Sequence, residues 1–162
     1  DKAETRGAEL AGHVDLLDTL QLRGNYTWTK SEQTSGAQKG LPISGTMPAK
    51  HMANASLNWQ INEAVSLSLI GEARYDHYRD THIDSAGIRH VRYYEDYTIF
   101  HLGGSWKATP WLTVNARVNN LFDKDFVSQS CLLLNPSEFS CVDDYATKDQ
   151  RRSYWISLNA KF

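Results

Sequence analysis

No run of apolar residues in this 162-residue chain approaches the roughly 20 that a membrane-spanning helix needs, so no such helix is expected. Charge of one sign is also lacking. Seventeen basic residues face 19 acidic ones, the formal net charge is -2, and no basic stripe stands out, so no nucleic-acid partner is expected. Prolines number only four. There is no GxSxG, HExxH, phosphate-binding glycine loop or CxxC pair, so the chain is not read as an enzyme. The opening "DKAETRGAEL" is charged and has no apolar core, unlike a signal peptide. Either the mature protein starts there or the chain is a piece of a longer one. Cysteine is scarce too. Cys131 and Cys141 bracket nine residues that include a proline. One short disulfide loop is the natural reading and implies an oxidising compartment; two unpaired thiols are the alternative.

What the chain does have is aromatic residues (five Trp, eight Tyr, five Phe) and a hydrophobic period of two. In 20–30, Leu20, Leu22, Gly24, Tyr26 and Trp28 alternate with Gln21, Arg23, Asn25, Thr27 and Thr29. The same alternation runs through 51–61, 65–79, 112–122 and 153–162, less cleanly through 94–106, and most weakly through 2–14. Alternation over so many segments predicts strands rather than helices. Average hydropathy then says nothing against a membrane, because barrel strands alternate apolar and polar residues.

The connections alternate in length. Short ones (15–19, 62–64, 108–110) interleave with long ones (31–50, 80–92, 127–150), so all long connections fall at one end of the sheet. Several strand segments run well past the 5–6 residues usual in soluble proteins and reach the 9–11 of a tilted membrane strand. Trp59, Trp106 and Trp111 sit near the short-turn end, and Tyr26, Trp28, Tyr75 and Tyr154 toward the long-loop end. Rings of that kind settle at the two membrane interfaces. The expected fold is therefore all-β, an antiparallel up-and-down transmembrane β-barrel. The alternative is a soluble all-β module binding a carbohydrate or small molecule, with its aromatics in a core.

"VNNLFDKDF" (118–126), with Asn120, Leu121, Phe122, Asp123 and Lys124 at its centre, resembles a stretch near the C-terminus of TonB-dependent outer-membrane receptors. "AETRGAEL" (3–10) and "RRSYWISLNAKF" (151–162) are similar to other strands of that family, and "WTKSEQTSG" and "MPAKHMANASLNW" are similar in layout to its enterobactin-type catecholate siderophore receptors. The resemblance covers essentially the whole chain. It implies a roughly 22-stranded barrel, of which residues 1–162 would supply the last seven strands, without the plug domain. It places the protein in the outer membrane of a Gram-negative bacterium. The implied activity is import of a ferric siderophore as transported ligand, with no cofactor bound directly. The implied partners are outer-membrane lipid, TonB acting through the missing plug, and the barrel-assembly machinery. The alternating Tyr154, Ile156, Leu158, Ala160 and Phe162 resemble the signal read by that machinery. Parity puts Asn119 toward a wet lumen and Asn120 toward lipid, where an amide has no evident reason to be.

Ligand candidates fall in 78–94, in and beside the second long connection. Tyr78, Arg79, His82, Arg89, His90, Arg92 and Tyr93 gather cations and aromatics that suit an anionic, aromatic ferric chelate. The competing reading is that Asp80 and Asp84 neutralise the cluster and the tyrosines belong to the girdle. No histidine pair has the sequence spacing of a strong metal motif, so the histidines are read as scattered and no metal site is expected.

Overall fold

The computed structural model describes residues 2–43, 48–83, 87, 89–126, 128–135, 138–144 and 151–161. Seven long strands form one antiparallel sheet: β1 (Ala3–Leu17), β2 (Leu20–Gln33), β3 (His51–Gln60), β4 (Val65–Tyr75), β7 (Tyr97–Thr109), β8 (Leu112–Asn119) and β11 (Ser153–Ala160). Each pairs with the next in that order, so the sheet is an up-and-down meander. Two hairpins, β5 (Tyr78–Ile83) with β6 (Arg89–Tyr93) and β9 (Ser128–Asn135) with β10 (Glu138–Asp144), lie inside the second and third long connections.

Cross-strand register converts the sequence alternation into two faces. One row across the sheet reads Val14, Leu22, Leu57, Leu69, Leu102, Val118 and Tyr154. The row beside it reads Asp15, Gln21, Asn58, Ser68, Gly103, Arg117 and Trp155. Successive side chains point to opposite faces of a strand, so the first row lies on an apolar face and the second on a polar one. The apolar face has no covering layer among the described residues. Leu69 keeps 36% of its surface exposed, and Trp106 and Trp111 keep 53% and 54%. A soluble sandwich would bury those side chains against a second sheet. A sheet with one long apolar face and one polar face is what a barrel wall requires.

The short turns share one end of the sheet. Asn62 accepts the amides of Ala64 and Val65 on its side-chain oxygen, both at 2.9 Å, and so closes the β3–β4 turn. The amide of Gln60 donates to Thr19 and that of Lys107 to Ala64, which joins neighbouring turns into a rim. Pairing of β1 with β2 continues through Leu17↔Leu20 past an irregularity at Leu16, so the first turn shrinks from the expected 15–19 to Asp18-Thr19. At the other end β4 stops at Tyr75. Asp76 takes a left-handed φ of 53° and donates its amide to the Asp96 carboxylate at 2.8 Å.

Among the described residues, fully buried apolar side chains are few: Ala49, Tyr97, Ile99 and Phe126. Tyr97 and Ile99 share the polar-face parity of β7, and Phe126 stacks on Tyr97 with ring centroids 4.5 Å apart. Phe126, beyond β8, therefore folds back over the polar face.

Candidate ligand site at the long-loop end

Asn120 is the residue that turns the chain inward. The ladder between β8 and β11 ends at Asn119↔Ser153, and Asn120 then adopts a left-handed φ of 46°, which asparagine tolerates better than most residues. It is 1% exposed. Its side-chain amide donates to the Lys124 carbonyl at 2.8 Å and accepts from the Lys124 amide at 2.9 Å. Its backbone amide donates to His101 Nδ1 at 3.2 Å. With Nδ1 accepting, the His101 ring proton sits on Nε2, 3.7 Å from Glu72, which also lies 3.6 Å from Arg74. The lipid-side placement that parity suggests for Asn120 is thus wrong, because alternation ends one residue earlier. Phe122 does emerge on the apolar face. It is 69% exposed and meets Phe100 edge-on at 5.8 Å, and Phe100 in turn lies over Gly71, where a Cβ would come within 3.1 Å of the ring.

Asp123 locks the base of the last long connection. Arg151 grips it with two nitrogens at 3.0 and 2.7 Å and reaches Asp125 at 3.1 Å with a third. The Arg152 amide adds a bond at 3.0 Å. The Arg151 guanidinium, seconded by that amide, holds the Asp123 carboxyl well below the usual carboxylate range. Lys124 lies 3.6 Å from Glu95.

The β5–β6 hairpin brings the sequence-derived ligand candidates together. Tyr78 stands opposite Tyr93, their rings edge to face at 5.9 Å. The Tyr78 hydroxyl meets the Thr81 hydroxyl at 2.8 Å. The Arg79 guanidinium lies over the Tyr94 ring at 5.7 Å and its Nε is 3.8 Å from Asp80. His77 packs on the other partner of that stack, Tyr94, at 4.7 Å. For Arg89, Arg92, His82 and His90 the structure describes the backbone alone: His82 pairs with His90, Asp80 with Arg92 and Ile83 with Arg89.

Between this hairpin and the first long connection is a cavity of about 230 Å³. Tyr78 and Tyr93 line one side, Lys30, Glu32 and Lys50 another, with Asp76 between. Lys30 pairs with Glu32 at 2.7 Å and Lys50 with Asp76 at 3.4 Å. The hydrogen bond and charge of Lys30 hold the Glu32 carboxyl below its ordinary value. The two lysines are the part of this site that the sequence does not single out. They stand 20 residues apart and converge only because β2 and β3 pair. Beside the cavity the Tyr26 hydroxyl bonds His51 Nδ1 at 2.6 Å, at the aromatic level of the apolar face.

The remaining candidates are placed in part. The backbone register of β9 and β10 sets Cys131 directly opposite Cys141. Tyr154, Ile156, Leu158 and Ala160 share the apolar face of β11, opposite Val118, Ala116, Val114 and Leu112; Phe162 lies outside the described residues.

Residues 1–121 match the family described as "TonB dependent receptor-like, beta-barrel". The chain is 30% identical over 166 residues to the iron-regulated outer membrane virulence protein of Vibrio cholerae, with all of this chain and 22% of that protein covered. It therefore spans about a fifth of the length of the curated relatives it matches. Its fold is similar to the ferripyoverdine receptor of Pseudomonas aeruginosa (TM-score 0.68, 18% identity, 99% of this chain and 20% of that one). It is likewise similar to the ferric-catecholate import receptor Fiu of E. coli (TM-score 0.64, 20% identity, 99% and 21% covered). With the meander, the two-faced wall and these matches in place, the chain belongs to the TonB-dependent receptor-like β-barrel family, a family of Gram-negative outer-membrane receptors and not of enzymes.

Proposed function

We propose that residues 1–162 are the C-terminal wall of a receptor that imports a ferric siderophore across the outer membrane, with the plug and the TonB contact in parts of the protein outside this segment. The observation that carries this reading is the cation-aromatic cavity at the long-loop end. Tyr78 and Tyr93 offer ring faces, and Lys30 and Lys50 offer positive charge. A cavity of about 230 Å³ is smaller than a typical ligand pocket of roughly 300–1,000 Å³, so it suits one aryl arm of a large chelate. Each cation here already holds a carboxylate, so an anionic arm binds by exchanging that partner rather than by filling an unbalanced charge. The names of the relatives support iron as the cargo: one is iron-regulated, and two solved neighbours are a ferripyoverdine and a ferric-catecholate receptor.

In this reading the apolar rows contact outer-membrane lipid, and an odd strand count puts the start of β1 outside and the end of β11 in the periplasm. The alternating face of β11 is the segment offered to the barrel-assembly machinery. The Cys131↔Cys141 register suits a cross-strand disulfide, since opposed Cα atoms in an antiparallel pair lie about 4.5–5.5 Å apart, inside the range that a disulfide spans. The test uses the full-length receptor in detergent. Ferric catecholate is expected to quench its tryptophan fluorescence saturably, and Tyr78→Ala with Lys50→Ala to weaken binding at least tenfold. If no ferric catecholate binds and deletion of the gene leaves iron-limited growth unchanged, the reading fails.

A further inference from the structure

The last three strands of the sheet differ in charge from the first four. β7, β8 and β11 contain no Asp or Glu, whereas β1 alone carries Glu4, Glu9 and Asp15. Three rows of the polar face descend these strands toward the short-turn end. The first reads Gly103, Arg117 and Trp155, the next Ser105, Asn115 and Ser157, and the last Lys107, Thr113 and Asn159. Successive rows are two residues apart, so the first and last stand about 14 Å apart along the strands. Arg117 is directly opposite Trp155, which keeps 53% of its surface exposed, and both line a cavity of about 610 Å³. Gly103, on the other side of Arg117, keeps the floor low: a Cβ there would come within 2.9 Å of the Ser68 hydroxyl oxygen. Lys107 and Lys161 line a second cavity, of about 590 Å³, with Trp111, Thr113 and Asn159. Both volumes fall within the roughly 300–1,000 Å³ of ligand pockets. No hydrogen bond or ion pair engages the side chains of Arg117, Lys107 or Lys161 among the described residues. The other two arginines of the polar face are held. Arg23 Nε donates to Gln21 at 2.6 Å, and Gln21 in turn to Asp15, while Arg74 lies 3.6 Å from Glu72. The carboxylates lining the two cavities, Asp15, Asp18 and Glu63, sit on β1 and on two of the short turns.

We propose that Arg117, Lys107 and Lys161 form a track for an anionic aryl chelate, leading it down the inner wall to the short-turn rim. The inference rests on the import reading above and adds the sector of wall that the cargo follows. An anion moving along β7, β8 and β11 meets positive charge at Arg117 and again at the lysine pair, and those strands hold no carboxylate to repel it. Trp155 supplies a ring for stacking beside the first charge. Serine, threonine and asparagine side chains offer hydrogen bonds between the stations. Lys30 and Lys50 at the long-loop end must release a carboxylate before they take an anion, whereas these three cations need not. Because they are solvated, each holds an anion only loosely, as a path requires.

Cells carrying the full-length receptor test the inference, with radioiron-labelled ferric catecholate as probe. Surface binding is read in the cold, where energised import stops, and import is read on warming. The triple variant Arg117→Gln, Lys107→Gln, Lys161→Gln is expected to bind the probe as the wild type does and to import it about tenfold more slowly, since a cleft lined by one sign of charge speeds ion passage by at least about that factor. Arg117→Gln alone should slow import in part, and Arg117→Lys should restore it, because the charge is what counts. Glu9→Gln, on the polar face of β1, serves as control and should change neither readout. Wild-type import by the triple variant overturns the track and leaves the import reading standing. A parallel loss of binding and import also overturns it, because the cations would then hold the receptor together, for example by gripping an acidic plug surface. A wild-type receptor that binds no ferric catecholate defeats the import reading and this inference with it. Should the triple variant fail to reach the membrane, equal import rates for Arg117→Gln and Arg117→Lys overturn the proposal.

Discussion

Leu69→Arg and Ser68→Arg place the same charge one residue apart on β4, on opposite faces. Leu69 sits in the apolar row between Leu57 and Leu102, and Ser68 in the polar row between Asn58 and Gly103. Val65, paired with Trp106, marks the short-turn edge of the apolar band, and Tyr75 marks the long-loop edge. With about 3.4 Å per residue and a tilt near 45°, Leu69 lies about 10 Å from the first edge and about 14 Å from the second. Together these make about 24 Å, close to the roughly 25 Å apolar band of such barrels. Arginine at that depth on a lipid-facing position costs about 2–4 kcal/mol, or roughly 30- to 800-fold in the folding equilibrium. Ser68→Arg faces the lumen, where Arg23 and Arg117 already sit on the same parity, and is expected to cost under about 1 kcal/mol when no plug contact is lost. Denaturant titration of the full-length receptor in lipid vesicles, followed by tryptophan fluorescence, measures both. Equal costs, or a larger cost for Ser68→Arg, would refute the assignment of faces.

Other expectations follow from single contacts. Asn120→Ala removes the reciprocal bonds to the part-buried Lys124 backbone groups, at about 1–3 kcal/mol; Asn120→Gly keeps the left-handed φ yet loses the same bonds, and denaturant midpoints should show both variants weakened. Asp123→Asn is expected to speed hydrogen exchange at the Arg152 amide at neutral pH. Because the native Asp123 carboxyl sits below its unfolded value, its contribution is complete above the ordinary carboxylate range and fades only as pH falls through the lower native value; the wild-type amide should therefore stay protected at pH 4. Thiol labelling of the unfolded, non-reduced protein should modify neither Cys131 nor Cys141, and opening so short a loop by reduction should release about 3 kcal/mol of chain constraint. Labelling of both thiols would remove the staple.

The wall was legible because period two is a direct consequence of the pleat. Leu22, Leu57, Leu69 and Leu102 could be assigned to one face before their register was known, and the structure puts them in one row. The loop hairpins were not legible: β5–β6 and β9–β10 lie outside the seven-stranded sheet, and Asp80, His82, His90 and Arg92 read as part of a polar loop. Asn120 shows the limit of parity most clearly. Its role depends on His101, 19 residues earlier, and on Lys124, four residues later, and neither contact leaves a periodic trace. Lys30 and Lys50 belong to the same class, since their meeting at one cavity is a product of tertiary pairing.

The most direct test of the wall is nitroxide scanning of positions 65 to 75 in the full-length receptor, reconstituted in bilayers. Collision with oxygen, which concentrates in lipid, and with a water-soluble nickel chelate is read at each site. The account predicts strict alternation, with Val65, Leu67, Leu69, Gly71 and Ala73 open to oxygen and Ser66, Ser68, Ile70 and Glu72 shielded from it. A profile without period two, or one in which the leucines are shielded from oxygen, would contradict it.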